Sequence, residues 1–333
     1  MRKLTRIILK NMSPLHLGMG RDAYDTASNR LPSDSLSAAL ASVRAMQGRR
    51  EDIEAFLRSF SISSAFPYCG DEFFLPRPCG RLPIKVKGKE EKEYRKDLKK
   101  IQYISSSVWH SMMKGDTIEI EPTQLHGEFL IAEPVADYKK PMTHVANQRV
   151  MVPRADDKDA VPFTFEWTFF LHGKLESGLY CIVDCEDSIR AEIIDLFKLL
   201  GSTGIGSDRT VGGGLFDVET DEIEWQEISG SSTMLLSTYI PQEAELKHLN
   251  LTSSNYSLLK RGGFMSGSSN EKTRQLRRKT VYMFDTGSIF DTTYPIEGKI
   301  VNLAPEWNAE GMHPVYRCGR PLCVTVKMHQ DEK

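Results

Sequence analysis

The stretch from Leu199 to Phe216 holds the residues of this 333-residue sequence that are best suited to binding chemistry. It reads LLGSTGIGSDRTVGGGLF, with six glycines and one arginine among short polar side chains. Glycine lacks a Cβ, so it adopts positive φ readily and lets another molecule approach the backbone closely. Successive main-chain N–H groups in such a loop bind anions, above all phosphate. We therefore predict a phosphate cradle made by the amides of Gly204–Gly214, with Arg209 adding a permanent positive charge.

The elements on either side of the glycines exclude the common nucleotide-binding motifs. A P-loop needs Gly-Lys-Ser/Thr after its first glycines, and a dinucleotide fingerprint runs from a strand through the glycines into a helix. Here apolar residues at helical spacing precede the loop, with Asp187 or Ser188 as the N-cap. Leu215–Val218 then reads as a strand. The predicted order is helix, glycine loop, strand.

This order resembles that of the RAMP superfamily of CRISPR antiviral systems, whose ferredoxin-like RNA binders carry a glycine-rich loop after the last helix. The string GIGSDRTVGGGLF is similar to the loop of one subunit of type III-A (Csm) effector complexes, the subunit that holds the 5′ handle of the guide RNA, or crRNA. The strings LHLGMGR and LPSDSLSAAL, and residues 256–264, 279–284 and 313–322, resemble the same subunit. The resemblance therefore touches both halves of the chain.

The resemblance implies an α+β fold of two ferredoxin-like (RRM-like) βαββαβ halves with insertions. The start of the chain agrees, because a strand at Leu4–Lys10 and a helix capped by Ser33 would open such a unit. Strands at Phe163–Leu171 and Leu179–Val183 would begin the second unit. We expect an N-terminal domain at 1–155 with a basic hairpin, and a C-terminal domain at 156–333 with the glycine-rich loop.

The basic hairpin is expected at His144–Arg154, which is similar to a thumb that lies over the guide strand in the family. Arg149 and Arg154 would meet phosphates while the apolar residues Val150–Val152 wedge against bases. The residues alone favour an edge strand with two exposed arginines. With the resemblance included, the predicted RNA-binding residues are His16, Gly18, Arg21, Arg149, Arg154, Gly204, Gly206, Ser207, Arg209, Thr210, Gly212, Gly213, Gly214, Lys260 and Arg261.

His16 supports an alternative hypothesis, a metal-independent endoribonuclease that processes guide-RNA precursor. Some RAMP ribonucleases use a histidine to move a proton at a 2′-hydroxyl, and the pKa of histidine suits His16 to act as a general base. A single histidine with no defined partner favours RNA contact or packing instead, so no catalytic residue is predicted. A third hypothesis is a small-molecule nucleotide binder that uses the glycine loop.

The charge of the chain is nearly balanced, with 43 basic and 45 acidic side chains and a net charge of −2. An RNA binder of this composition must concentrate its positive charge locally. Two segments do so: Arg81–Lys100, which is typical of a solvated helix face, and Lys260–Lys279, whose glycines and serines indicate a mobile basic loop.

Neither a metal site nor a membrane segment is predicted. Cys181 and Cys185 lie on an expected strand, whose rise separates them by roughly 13 Å, too far to share one ion. Cys318 and Cys323 flank a predicted turn, and reduced cysteines account for all six. Because the sequence has no apolar run of ~20 residues and no signal peptide at its start, we expect a cytoplasmic protein without cofactors, membrane contacts or direct DNA contacts.

The partners follow from the resemblance. It implies a non-catalytic capping subunit that binds the crRNA 5′ handle at the foot of the complex. There the subunit would touch the large polymerase-like subunit, which makes cyclic oligoadenylates, and the neighbouring backbone RAMP subunit, which cuts target RNA. A near-neutral surface agrees with burial against protein partners.

Overall fold

A nine-stranded sheet forms the centre of the computed structural model, which describes residues 2–18, 30–152, 159–265, 276–305 and 313–327. The elements of the first part are β1 (Arg2–Lys10), α1 (Ser33–Met46), α2 (Ile53–Arg58), β2 (Phe60–Ile62), β3 (Phe66–Cys69), β4 (Glu72–Pro76), β5 (Ile84–Val86), α3 (Glu91–Lys100), β6 (Tyr103–Ser105), α4 (Ser106–Met113), β7 (Ile118–Ile120), β8 (Leu125–His126) and β9 (Phe129–Leu130). Those that follow are β10 (Met142–Met151), β11 (Val161–Phe170), β12 (Ser177–Cys185), α5 (Asp187–Thr203), β13 (Asp217–Trp225), β14 (Ser232–Leu235), α6 (Glu243–Leu246), β15 (Leu258–Arg261), β16 (Val281–Phe284), β17 (Ile289–Phe290), β18 (Ile300–Asn302), β19 (Tyr316–Cys318) and β20 (Cys323–Val326).

One βαββαβ unit accounts for the four strands at one end of the sheet: β13, β1, β12 and β3. The strand order is β13-β1-β12-β3-β4-β6-β9-β8, and β2 also pairs with β12. Along the chain the unit runs β1, α1, β3, β12, α5, β13, which is the ferredoxin-like succession with a long insertion between β3 and β12. Strand β1 lies inside the sheet and is antiparallel to both neighbours, with Thr5 opposite Val183 and Glu222. Its side chains Leu4, Ile7, Ile8 and Leu9 are buried, as a central strand requires.

The sheet crosses the predicted domain boundary. Strand β1 belongs to the expected N-terminal domain at 1–155, yet β12 and β13, from the expected C-terminal domain, pair with it on either side. A boundary between residues 155 and 156 would cut this sheet, so it must move beyond Trp225. The glycine-rich loop, which joins α5 to β13, therefore belongs to the first unit. The hydrophobic patterns of the strands carried no information about these long-range pairings.

The part of the chain after Trp225 is built differently. It contains a three-stranded sheet in the order β17-β14-β20 and the two-stranded ladders β15–β16 and β18–β19. Among the described residues its one α-helix is α6, with four residues, whereas a βαββαβ unit needs two helices. The α+β class is thus confirmed, and the second ferredoxin-like half is not.

The start of α1 links the two parts of the chain. The residue at the N-cap is Pro32, and the predicted cap, Ser33, is the first helical residue. The Ser33 hydroxyl lies 2.9 Å from the hydroxyl of Thr238 and accepts a hydrogen bond from the Thr238 amide, also at 2.9 Å. Long-range packing therefore uses this hydroxyl in place of a helix cap.

No helix in the described ranges is long and apolar enough to cross a bilayer.

Candidate nucleic-acid interface

The glycine-rich loop has a buried base and an exposed tip. Helix α5 ends at Gly204, whose φ is 80°, and a single 3₁₀ turn at Arg209–Val211 precedes β13. This confirms the predicted order of helix, glycine loop and strand. The buried residues of the base are Gly204, Ile205, Gly213 and Gly214, and the exposed residues of the tip are Ser207, Arg209, Thr210 and Val211.

Most main-chain amides of the loop donate hydrogen bonds within the chain, which corrects the predicted cradle of Gly204–Gly214. The internal donors and their carbonyl acceptors are Gly204 to Leu200, Ile205 to Gly214, Ser207 to His16, Val211 to Asp208, Gly212 to Arg209, Gly213 to Asp208, and Gly214 to Pro14. Within the described part of the chain, the amides of Gly206, Asp208, Arg209 and Thr210 have no acceptor. The main-chain donors left for an anion therefore lie at 206–210, where Ser207, Arg209 and Thr210 are exposed and Gly206 and Asp208 are partly buried.

The glycines at the base serve close packing between backbone segments. A Cβ on Gly204 would stand 2.6 Å from the carbonyl oxygen of Gly213, and one on Gly206 would stand 2.5 Å from that of His16. A Cβ on Gly214 would overlap the carbonyl of Ile205. Both ends of the loop can thus lie against each other and against residues 14–16 because these side chains are missing. Gly212 differs, since it has a φ of 85° and open space around it.

His16 lies inside the chain beneath this loop. It is 1% exposed, and its ring stacks on Phe165 with centroids 4.0 Å apart. Nδ1 lies 2.7 Å from the carbonyl oxygen of Glu166, which can only accept, so Nδ1 carries the proton and donates. A general base must reach the substrate hydroxyl, and a side chain buried in this way does not. The structure gives His16 the role of supporting the loop, and gives the endoribonuclease hypothesis no geometric support.

Gly18 lies on the surface beside His16. A Cβ placed there would be 3.5 Å from Nε2 of His16 and 3.5 Å from the hydroxyl oxygen of Ser207. The two predicted segments, residues 16–18 and the glycine loop, are therefore brought together. Arg21, predicted on the same segment, lies outside the described residues.

Most of the segment expected to form a basic hairpin, His144–Arg154, lies on β10, which pairs with β11 in an antiparallel hairpin from Met142 opposite Phe170 to Met151 opposite Val161. Arg149 on β10 forms an ion pair with Asp208 at the tip of the glycine loop, at 2.6 Å. Its guanidinium also lies over the rings of Phe165 and Trp167, 4.4 and 5.3 Å from their centroids. Beyond Arg149, the side chains of Val150, Met151 and Val152 are exposed, and Arg154 lies outside the described residues.

Lys260 and Arg261, both predicted to contact RNA, lie in different surroundings. Lys260 is exposed on β15. Arg261 turns inward, where its Nε lies 2.8 Å from the fully buried carboxylate of Asp34 and a terminal nitrogen lies 2.6 Å from the hydroxyl of Ser35. Arg317, which is 3% exposed, donates to the same Asp34 oxygen at 2.8 Å. Arg261 therefore belongs to an ion-pair cluster at the start of α1, and in this structure its guanidinium is not free for RNA.

The sequence is similar to those of known CRISPR proteins. Residues 229–326 match the family model of the CRISPR Csm4 C-terminal domain. The chain is 25% identical over 262 residues to the CRISPR system Cms protein Csm4 of Thermococcus onnurineus (strain NA1), a match that covers 77% of this chain and 81% of the relative. The resemblance to the Csm4 subunit is confirmed.

Solved structures show that the Csm4 resemblance extends to the fold. A chain of the crystal structure of a Csm1–Csm4 cassette in complex with cA4 matches with a TM-score of 0.64 and 19% identity, over 99% of this chain and 100% of that one. A chain of the Csm3–Csm4 subcomplex of a type III-A CRISPR-Cas interference complex matches with a TM-score of 0.63 and 16% identity, over 98% and 100%. The overall fold described above is thus similar to that of these chains.

The sequence analysis missed several residues that shape the glycine-rich loop. The Ser13 hydroxyl donates to the Gly212 carbonyl at 2.8 Å and accepts from the Leu215 amide at 2.7 Å, so it closes the loop at its base. Trp167 packs beneath Gly213. The run FTFEWTFFL indicated a strand, and its aromatic residues gave no sign that they would support a loop. Ser13-Pro14 directly before the LHLGMGR string was the one available signal.

Neither the acidic residues near the loop nor the cysteines form a metal site within the described residues. The acidic residues that follow the loop lie on strand β13, at the edge of the sheet. There Asp221 pairs with Arg6, and Glu219 lies 3.0 Å from Nζ of Lys10, so part of the acidic charge is compensated by β1. All six cysteines are free. Burial raises the pKa of the Cys323 thiol to about 11, which keeps it protonated near neutral pH.

Proposed function

We propose that this chain is a non-catalytic Csm4-type subunit that binds the 5′ handle of crRNA in a type III-A CRISPR complex. The observation that carries the proposal is the exposed tip of the glycine loop. At 206–210, four main-chain N–H groups without internal acceptors lie beside the side chains of Ser207, Arg209 and Thr210. Main-chain donors without internal acceptors suit the phosphates and 2′-hydroxyls of a single strand better than they suit the grooves of a duplex.

The hairpin contributes a second wall to the proposed RNA site. Because Arg149 is tied to Asp208, the β10–β11 hairpin stands next to the tip of the loop. The exposed residues Val150, Met151 and Val152 then offer an apolar surface against which bases can pack. With Arg149 held by a carboxylate, the charge on the tip comes mainly from Arg209. This local arrangement is how a chain with a net charge of −2 can hold RNA.

The same proposal includes two protein partners, the large polymerase-like subunit and the backbone RAMP subunit. Its support is the similarity to chains from a Csm1–Csm4 cassette and from a Csm3–Csm4 subcomplex, in each case over nearly the whole length of both chains. A subunit that fits both arrangements would bridge the two partners. Co-purification of the chain with both subunits, followed by sequencing of the bound RNA ends, tests the bridge and the handle together.

Arg209→Ala is the sharpest test of RNA binding at the tip. A guanidinium bonded to phosphate contributes about 1.5–3 kcal/mol, so we expect affinity for handle RNA to fall about tenfold or more. Arg50→Ala is the matched control, because Arg50 is also exposed and, among the residues that the structure describes, bonds only the Ala45 carbonyl. Electrophoretic mobility shifts at fixed salt would measure both variants. Equal affinities for the two variants would contradict the proposed site.

A further inference from the structure

A cavity of about 680 Å³ lies between the first part of the chain and the region after Trp225. The end of β4, the end of α3 and the segments that flank β15 and β16 form its walls. Its lining includes the cations Arg30, Arg77, Lys99 and Lys100 and the aromatic ring of Tyr256, and no aspartate or glutamate. We call it the Arg77 cavity. A cavity of this size can hold a mononucleotide.

Arg77 is a cation without a compensating carboxylate in the described part of the chain. Its terminal nitrogens donate only to the backbone carbonyls of Gly80, at 3.2 Å, and Lys99, at 3.5 Å. Its Nε is buried with no hydrogen-bond partner. Burial lowers the pKa of Arg77, as expected for a guanidinium that lacks an opposing charge. A half-buried charge left in this state is stabilised when an anion enters.

The other cations hold different positions around the cavity. Arg30 is oriented by Asp285, with 3.2 Å between the guanidinium and the carboxylate. Lys100 pairs with the exposed Asp97 at 2.9 Å. The Lys99 side chain has no ion pair or hydrogen bond within the described residues. Positive charge therefore exceeds negative charge at the cavity, with Arg77 and Lys99 uncompensated.

Tyr256 adds a chemical feature that a simple anion does not need. This residue lines the cavity and is 40% exposed. It is held edge-on against Phe284, with centroids 5.3 Å apart, so its orientation is set by packing. A fixed, partly exposed aromatic ring next to a cluster of cations matches a ligand that carries both a base and a phosphate.

We propose that the Arg77 cavity binds nucleotide phosphate, with Arg77 and Lys99 on the phosphate and Tyr256 against the base. The phosphate can come from a free nucleotide or from the backbone of single-stranded RNA. This proposal is independent of handle binding, because none of the residues that line the cavity belongs to the glycine loop or to the β10–β11 hairpin.

The test compares two charge reversals on the same helix of the full-length chain. Lys99→Glu changes a cavity residue, whereas Lys96→Glu changes an exposed lysine of α3 that does not line the cavity. Both alter the net charge equally. The probes are a fluorescent ATP analogue and a fluorescein-labelled oligouridylate, followed by anisotropy at fixed salt. We expect Lys99→Glu to weaken binding of at least one probe about tenfold and Lys96→Glu to weaken it less than about twofold.

The two probes identify the source of the phosphate. A Lys99-dependent loss for the ATP analogue alone indicates a free nucleotide, and a loss for the oligouridylate alone indicates RNA backbone. Arg77→Gln should weaken binding of the same probe, while its urea unfolding midpoint stays that of the wild type. The proposal is overturned if neither probe binds, or if Lys96→Glu and Lys99→Glu have the same effect. Arg209→Ala should leave ATP binding unchanged, so failure at the glycine loop and failure at the cavity can be told apart.

Discussion

The guanidinium of Arg149 lies 2.6 Å from the carboxylate of Asp208 and joins the β10–β11 hairpin to the tip of the glycine loop. Asp208 has a φ of 58°, in the left-handed region that few residues other than glycine and asparagine adopt readily. In the turn that follows, the Asp208 carbonyl accepts hydrogen bonds from the amides of Val211 and Gly213. Asp208 therefore sets both the shape of the tip and its attachment to the hairpin.

Asp208→Asn is expected to loosen the hairpin without unfolding the protein. Asparagine tolerates positive φ, so the turn survives while the ion pair is lost. Both side chains are about one-third exposed, and the free energy of unfolding should fall by less than about 1 kcal/mol. Hydrogen exchange should quicken in residues 142–151. Glu54→Gln, which removes the partner of Arg58 on α2, is the control, and equal exchange in both variants would contradict the coupling.

Gly214→Ala and Gly212→Ala should differ sharply in stability. Both glycines have positive φ, 68° and 85°, which costs an alanine about 1–2 kcal/mol. At Gly214 the new Cβ would also collide with the Ile205 carbonyl, whereas at Gly212 it meets nothing within 4 Å. We expect Gly214→Ala to lower the free energy of unfolding by more than about 3 kcal/mol. Gly212→Ala should lower it only by the cost of positive φ, about 1–2 kcal/mol. Urea denaturation measures both, and similar losses would show that the base of the loop is not closely packed.

Asp34→Asn should destabilise the cluster at the start of α1. The fully buried carboxylate is shared by Arg261 and Arg317, each at 2.8 Å. Arg278 is close enough that burial, together with Arg317 and Arg261, lowers its pKa to about 10. Removal of the single acidic charge leaves the buried guanidinium of Arg317 and the partly buried one of Arg261 uncompensated, which costs about 3 kcal/mol or more. Thermal and urea unfolding would measure the loss, and a change as small as that of Glu54→Gln would refute the structural role given to Arg261.

His144 should make stability depend on pH. The Glu128 carboxylate lies 3.8 Å from its Nε2, an ion pair rather than a hydrogen bond at this distance, and raises the pKa of His144. Because the pKa in the folded state is the higher one, the stabilisation is complete below the unfolded value of about 6.5 and is lost as the pH rises through the folded value. We expect the difference between the urea midpoints of wild type and His144→Asn to shrink as the pH rises from about 5.5 to 8.5. A difference between the two that does not change with pH would exclude the effect.

The order of elements around the glycine loop could be predicted because it is local. Helical spacing before the loop and a strand after it are properties of neighbouring residues, and α5, the 3₁₀ turn and β13 follow in that order. The hairpin expected at His144–Arg154 came from the family resemblance, whereas the residues of that segment alone indicated only a strand, which the structure shows as β10 paired with β11. For the elements around the loop and for this strand, the hydrophobic period and the type of residue are sufficient evidence.

Pairings between distant residues could not be predicted in the same way. The hydrogen bond from Ser207 to His16, the ion pair between Arg261 and Asp34, and the pairing of β1 with β13 each join residues about 190 or more positions apart. No sequence period encodes such a contact, since strand partners and acceptors are chosen only when the core forms.

The sequence by itself determined the Csm4 resemblance, the class of fold and the presence of a loop that only glycine could build. The tertiary structure decided which main-chain amides of the glycine-rich loop lack an internal acceptor, because the acceptors come from residues 14–16 as well as from the loop itself. It also decided that His16 supports the loop from within and that Arg261 is held by Asp34. Residue type states what a side chain can do, and its surroundings in space determine whether a ligand can reach it.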